Sequence, residues 1–147
     1  MSDCLFCKII KGKIPCYKIW ENKEFLAILD IFPNTKGMTL VMPKKHYNSY
    51  AFEMPDKVYQ KFMAAGKQVA KLLDKKLDIK RTALVMEGMG VNHVHLKLYP
   101  LHGLNKKFTG IEAKKKVFFK NYPGYLTTQM GHQADSKELK KLVNKIK

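Results

Sequence analysis

The sequence predicts an α+β domain: a mainly antiparallel sheet of about five strands, one long helix packed on a face, and a C-terminal extension. Three observations carry this. Short apolar runs bounded by turn residues follow one another from Tyr17 to Met42, a three- and four-residue period runs from Pro55 to about Leu77, and strand patterning returns between Thr82 and Tyr99. No internal repeat or linker separates them.

The first two strands are Tyr17 to Trp20 and Phe25 to Leu29, joined by the polar turn Glu21-Asn22-Lys23-Glu24 as an antiparallel hairpin. Turn chemistry at Pro33-Asn34-Thr35-Lys36-Gly37 leads into a third strand, Met38 to Met42, which Pro43 closes. Then the period changes. Val58, Phe62, Ala65, Val69, Leu72 and Leu73 recur on one helical face, with Pro55 and Asp56 marking the start. Strands return at Thr82 to Met86 and Val91 to Tyr99 across a Glu87-Gly88-Met89-Gly90 link. Past Pro100 the signal weakens: Lys106 to Gln133 shows no period, and Lys137 to Lys147 places Leu139, Leu142, Val143 and Ile146 at helical spacing.

At 147 residues the chain fits one domain, and 46% hydrophobic with 27% charged residues is ordinary for a soluble globular protein. No apolar run approaches the ~20 residues of a membrane span. The opening MSDCLFCKII lacks the pattern of a secretory leader, so the expected location is the cytoplasm and no membrane partner is expected. A net charge of +16 suggests a polyanionic partner. Its make-up argues otherwise, because Arg81 is the only arginine among 28 basic residues and arginine is the side chain suited to bidentate phosphate and base recognition. Nucleic acid stays a candidate but not the favoured one. Three cysteines do not make a disulfide framework, and the spacing of Cys4 and Cys7 reads as a metal knuckle or a redox pair.

One stretch carries chemistry of its own. In VNHVHLKLYP, Val91 to Pro100, the residues His93, His95 and Lys97 alternate with Val94, Leu96 and Leu98. On a strand this puts the aliphatics toward the core and a row of nitrogen groups, roughly 7 Å apart, on the other face. Such a row is in reach of one phosphate-sized ligand or one metal.

With these elements in place, the chain resembles the histidine triad family of nucleotide-binding proteins, particularly its Hint branch. The segment CLFCKIIKGKIPCYKIWENKEFLAILDIFPNTKGMTLVMPKKH, Cys4 to His46, is similar to the family's N-terminal half, and VNHVHLKLYP is similar to its signature of three histidines alternating with apolar residues. The resemblance covers roughly Cys4 to Pro100, so it implies a nucleotide-binding domain over residues 1–105, with 106–147 a C-terminal extension of the same domain. It implies a hydrolase or nucleotidyl transferase that cleaves a nucleoside monophosphate from an amine or phosphate leaving group. His95 stands where the family has its nucleophile, which suits an imidazole that is largely uncharged near neutral pH. His93 stands at the first, supporting position. The third position, histidine in the family, is Lys97, an ammonium able to neutralise phosphate charge but not to exchange protons as readily at pH 7.

The same resemblance makes Asp30 the acceptor of the ribose hydroxyls and places Phe6, Ile9, Ile14 and Ile31 around the base of a purine nucleotide. Gly88 and Gly90 supply backbone amides toward the phosphate, while Glu87 between them and Val85 is an awkward neighbour for an anion. Some bacterial relatives hold zinc through a cysteine pair and two histidines, here Cys4, Cys7, His46 and His93. That set implies a closed, structural Zn2+. Relatives are usually homodimers, so a homodimer is expected. Two alternatives remain: a nucleotide sensor or adaptor that has lost turnover, and a zinc-stabilised nucleic-acid binder using the lysine surface.

Overall fold

A computed structural model of the chain describes residues 4–105 and 107–123. The chain divides into two compact units, Met1–Phe108 and Thr109–Lys147. The first holds every helix and strand among the described residues: helix α1 (Leu5–Ile10), strands β1 (Lys18–Glu21), β2 (Phe25–Leu29) and β3 (Thr39–Pro43), a 3-10 turn at Ala51–Glu53, helix α2 (Asp56–Lys76), and strands β4 (Thr82–Val85) and β5 (Leu96–Pro100). In the second unit, residues 109–123 form no helix or strand, and Phe119 meets Tyr122 edge to face at 5.4 Å. The helical spacing at Lys137 to Lys147 lies outside the described residues.

The five strands pair antiparallel throughout, in the order β1-β2-β3-β5-β4. Asn22 makes the first hairpin possible, because its side-chain oxygen accepts the N–H groups of Glu24 and Phe25 at 2.9 and 2.8 Å. Strands β2 and β3 are buried along almost their whole length because both faces of the sheet are covered. On one face, Phe25, Ala27, Val41, Leu96 and Leu98 pack with Phe62, Ala65, Val69 and Leu73 of α2. Leu26, Ile28, Leu40 and Met42 line the other, against Phe6 of α1.

The long helix runs as its period predicts, from Asp56 with Pro55 as cap to Lys76. Gly66 lies where it comes nearest the sheet: a Cβ there would stand 2.4 Å from Cδ1 of Leu96, a fully buried side chain. Helix α1 has no sequence signal of comparable strength. It is six residues long and has no side-chain cap, so packing and not propensity holds it.

One expected strand is half as long as its pattern suggests. Val91–His95 does not join the sheet, and β5 begins only at Leu96. The reason is where the backbone groups go. The N–H of His93 turns back to the Val91 carbonyl at 2.7 Å, and that of Val94 donates to Tyr47 at 3.0 Å, so neither is available to a ladder. The row of three basic side chains is therefore divided, as described below.

Phe62, wholly buried and stacked on Phe25 at 5.6 Å between ring centroids, is the centre of the helix-sheet contact. Phe62→Ala should cost about 3–5 kcal/mol of stability, to be read as a fall in the midpoint of denaturant unfolding at unchanged slope.

Candidate functional site

The segment that leaves the sheet positions the site. Its stitches run to the chain just after β3: Val94 N–H to the Tyr47 carbonyl, and Ser49 N–H to Oδ1 of Asn92 at 2.9 Å. These bonds bring His46, which precedes Tyr47, beside His93, with ring centroids 4.9 Å apart. Helix α1 completes the cluster with Cys7 and with Cys4 at its N-cap. Nδ1 of His93 lies 3.5 Å from Sγ of Cys4 and 3.6 Å from Sγ of Cys7, while Nδ1 of His46 lies 3.4 Å from Sγ of Cys7.

All four ligand atoms fall within 4.8 Å of one another, close enough to hold a metal ion. The spacing has a chemical meaning. Around a tetrahedral ion with metal–sulfur bonds of about 2.3 Å and metal–nitrogen bonds of about 2.0–2.1 Å, sulfur and nitrogen stand roughly 3.5 Å apart. The tautomer fits too: Nε2 of His93 lies 2.9 Å from the Pro43 carbonyl and must donate to it, which leaves the Nδ1 lone pair facing the sulfurs. Burial, then the charges of His46 and His95, hold the His93 imidazole below its ordinary range, in the neutral form that ligates. Burial, and the Cys4 thiol beside it, push the Cys7 thiol up, so the pair gains from a cation between them.

His95 faces elsewhere. Its Nδ1 lies 2.8 Å from the His93 carbonyl, to which it donates, so Nε2 carries the lone pair. Burial, with the Lys97 ammonium adding to it, holds this imidazole neutral as well. His95 and Lys97 both stand on the wall of a cavity of about 410 Å³, a volume suited to a small ligand. Phe6, Ile9 and Ile14 line its apolar side, and Phe6 meets the rings of His93 and His95 edge-on at 5.9 and 5.1 Å.

Asp30 stands on the same wall, just past β2, with Oδ1 accepting the N–H of Phe32 at 2.8 Å. That bond fixes the carboxylate and makes the turn that carries Ile31 and Phe32 to the cavity. These two remain 67% and 84% exposed, apolar surface left open at a concave site. Gly90 is on the wall but Gly88 is not. With φ +69°, Gly88 is pressed against the loop below, where a Cβ would meet the Ser49 carbonyl oxygen at 2.5 Å. It shapes the loop.

Residues 11–103 match the HIT domain. The chain belongs to this family. It is 43% identical over 102 residues to a HIT-like protein of Methanocaldococcus jannaschii, spanning 66% of this chain and 78% of that one. Against the adenosine 5'-monophosphoramidase of Saccharomyces cerevisiae it is 39% identical over 105 residues, 67% of this chain and 63% of the enzyme. A Zn-bound histidine triad family protein from Mycobacterium smegmatis superposes with a TM-score of 0.65 at 31% identity, covering 71% of this chain and 79% of that one.

In this HIT domain the sequence pattern brings Asp30, His95, Lys97, Gly90 and the four apolar residues to one cavity, and the four thiol and imidazole residues to another place. Two contacts have no local sequence signal. Cys16 lines the cavity, although nothing in its spacing assigns it. Glu87 pairs with Lys97, its Oε1 accepting from Nζ. The register of β4 on β5, which sets Val85 opposite Lys97, is what brings the two together. No helix among the described residues is long and apolar enough to cross a membrane.

Backbone demands distinguish the two glycines of the HIT domain's loop. Gly88→Ala should lower stability by about 1–3 kcal/mol or more, since it must either flip out of the left-handed region or push Ser49 away. Gly90→Ala, with nothing within 4 Å of the added methyl and an ordinary φ, should stay within about 1 kcal/mol of the parent in the same thermal melt.

Proposed function

We propose that this chain is a nucleotide hydrolase or nucleotidyl transferase of the Hint-like branch, with Lys97 in the third triad position. It takes a purine nucleoside monophosphate joined to an amine or phosphate leaving group. The observation that carries this reading is the set of His95: a neutral, buried imidazole whose Nδ1–H is pinned to the His93 carbonyl, leaving Nε2 as the nucleophile on a cavity wall shared with Asp30. Its likeness to the yeast monophosphoramidase supports the substrate class.

In this reading the base lies among Phe6, Ile9, Ile14 and Ile31, and the free oxygen of Asp30 accepts from the ribose hydroxyls. Nε2 of His95 attacks the α-phosphorus, displacing the leaving group and forming a transient phosphorus–nitrogen bond that water then opens. Lys97 neutralises charge developing on the phosphoryl oxygens, and Gly90 offers room or an amide at the same wall. Burial of the imidazole keeps it deprotonated and nucleophilic at neutral pH.

We assign zinc to Cys4, Cys7, His46 and His93. Two thiolates and two imidazoles leave no open position, so the ion would supply a structural tie between α1 and the segment before β5 and no Lewis acid for the reaction. A homodimer and a cytoplasmic setting complete the proposal; β4, an edge strand whose Leu84 is exposed, supports the first of these.

Adenosine phosphoramidate and diadenosine polyphosphates should be hydrolysed by the intact protein, and His95→Ala should reduce turnover at least about a thousandfold while AMP binding persists. Unchanged turnover in that variant would remove His95 from the chemistry. Protein purified without a histidine tag should contain near-stoichiometric zinc, and Cys4→Ser/Cys7→Ser should lose both the metal and several degrees of melting temperature. Metal-free protein that takes up none on reconstitution would contradict the assignment.

A further inference from the structure

The charge inventory of the cavity is unusual for a site that receives an anion. Lys97 is the only lysine or arginine on its wall among the described residues, and Asp30 is there as well. The Lys97 ammonium is already engaged by Glu87, in a pair whose side chains are 22% and 13% exposed, so solvent screens it only in part. The wall thus carries one ammonium and one carboxylate, and that ammonium is already paired with a second carboxylate. Glu87 does not line the cavity and is joined to it through that ammonium.

An incoming phosphoryl group competes with Glu87 for Lys97. A phosphoramidate with one negative charge can be met by a single shared ammonium. A phosphate-chain leaving group brings several more negative charges to a wall that holds, among the described residues, no second lysine or arginine and has an anion behind the first. A leaving amine bearing a second, positive nitrogen meets the opposite field: the negative charge of Glu87 lies just behind the Lys97 ammonium and attracts it.

We infer that Glu87 is a specificity-determining residue that selects nucleoside phosphoramidates with cationic leaving amines and disfavours conjugates whose leaving group is a phosphate chain. This rests on the hydrolase reading above and narrows it. Nε2 of His95 forms a bond to phosphorus as the phosphorus–nitrogen bond of the substrate breaks; the departing nitrogen takes a proton from the Lys97 ammonium and leaves as the amine. Water then bonds to phosphorus, the bond to Nε2 breaks, and the proton released by water returns to Lys97. The Glu87 carboxylate takes no part in these transfers and attracts the distal ammonium of the amine.

The test uses the whole 147-residue chain and three probes: the adenosine phosphoramidates of hexylamine and of pentane-1,5-diamine, which match in length and differ by one charge, and diadenosine tetraphosphate. Binding is measured on His95→Ala and His95→Ala/Glu87→Gln, and turnover on the parent and Glu87→Gln. The parent should prefer the diamine over the hexylamine conjugate by roughly tenfold, the effect of one carboxylate at partly screened contact. In Glu87→Gln the preference should fall below about twofold and diadenosine tetraphosphate should bind more tightly, while Glu87→Asp should keep part of the preference. A preference that survives Glu87→Gln overturns the assignment, whatever the turnover. If the Gln variant does not fold, the parent decides: a preference that does not shrink between about 0.02 M and about 1 M salt overturns it. Charge-dependent binding without turnover would sink the hydrolase reading and leave Glu87 as the selector of a binding site, whereas turnover with indifferent ratios would do the reverse. No binding of any probe overturns both.

Discussion

Everything around the site depends on how the polar groups of His93 are satisfied. Its Nε2–H goes to Pro43, its N–H to Val91, its carbonyl to Nδ1 of His95, and its remaining ring nitrogen to two sulfurs. A buried imidazole with any of these missing would carry the cost of an unmet polar atom, so the bonds impose each other. They fix the tautomers of both histidines in opposite senses: Nδ1 is the lone-pair nitrogen of His93, and Nε2 that of His95. One residue thereby holds the side-chain cluster by its ring and orients the cavity imidazole by its backbone.

The parts of the fold legible in the sequence are those where one periodicity meets one environment. Helix α2 rests a single stripe, from Phe62 to Leu73, on a single sheet face, so its start at Asp56 and its extent follow from spacing. The turn before Phe25 is legible because Asn22 carries the required acceptor itself. The boundaries of β1 and β3 move by one residue, where a shift in register between Lys18 and Trp20 and the inclusion of Pro43 alter the ladder ends. Residues 91–95 look like a strand and are not one, because alternation records side-chain environment and says nothing of where the backbone N–H groups go. Tyr47, more than forty residues away, takes the bond that a ladder would have used.

The site follows the same division. The resemblance carried by Cys4 to His46 and by VNHVHLKLYP is what groups Cys4, Cys7, His46 and His93 and sets Asp30 with His95, whereas spacing alone reads only the Cys4–Cys7 pair and the alternation of His93, His95 and Lys97. Glu87 was visible as a charge near an anion site, but its bond to Lys97 depends on the pairing of two strands and has no local signature. Gly88 has two demands on it that a sequence does not separate. A glycine needed for a positive φ and a close approach to Ser49 is indistinguishable, in a sequence, from one that bares an amide to a ligand.

Helix α1 has a dynamic consequence. Six residues without a cap cannot sustain a helix alone, so its thermodynamic tie to the rest of the unit is mostly Phe6 and the cysteines. Phe6, Ile9 and Leu5 are also one side of the cavity. That side is therefore the cheapest region of the unit to melt locally, a foldon of low free energy on a sheet that stays closed. Exchange of a bound molecule can proceed by transient unravelling of this short segment, with no hinge and no lid, and the tightness of its four-residue thiol and imidazole anchor sets how often the cavity breathes.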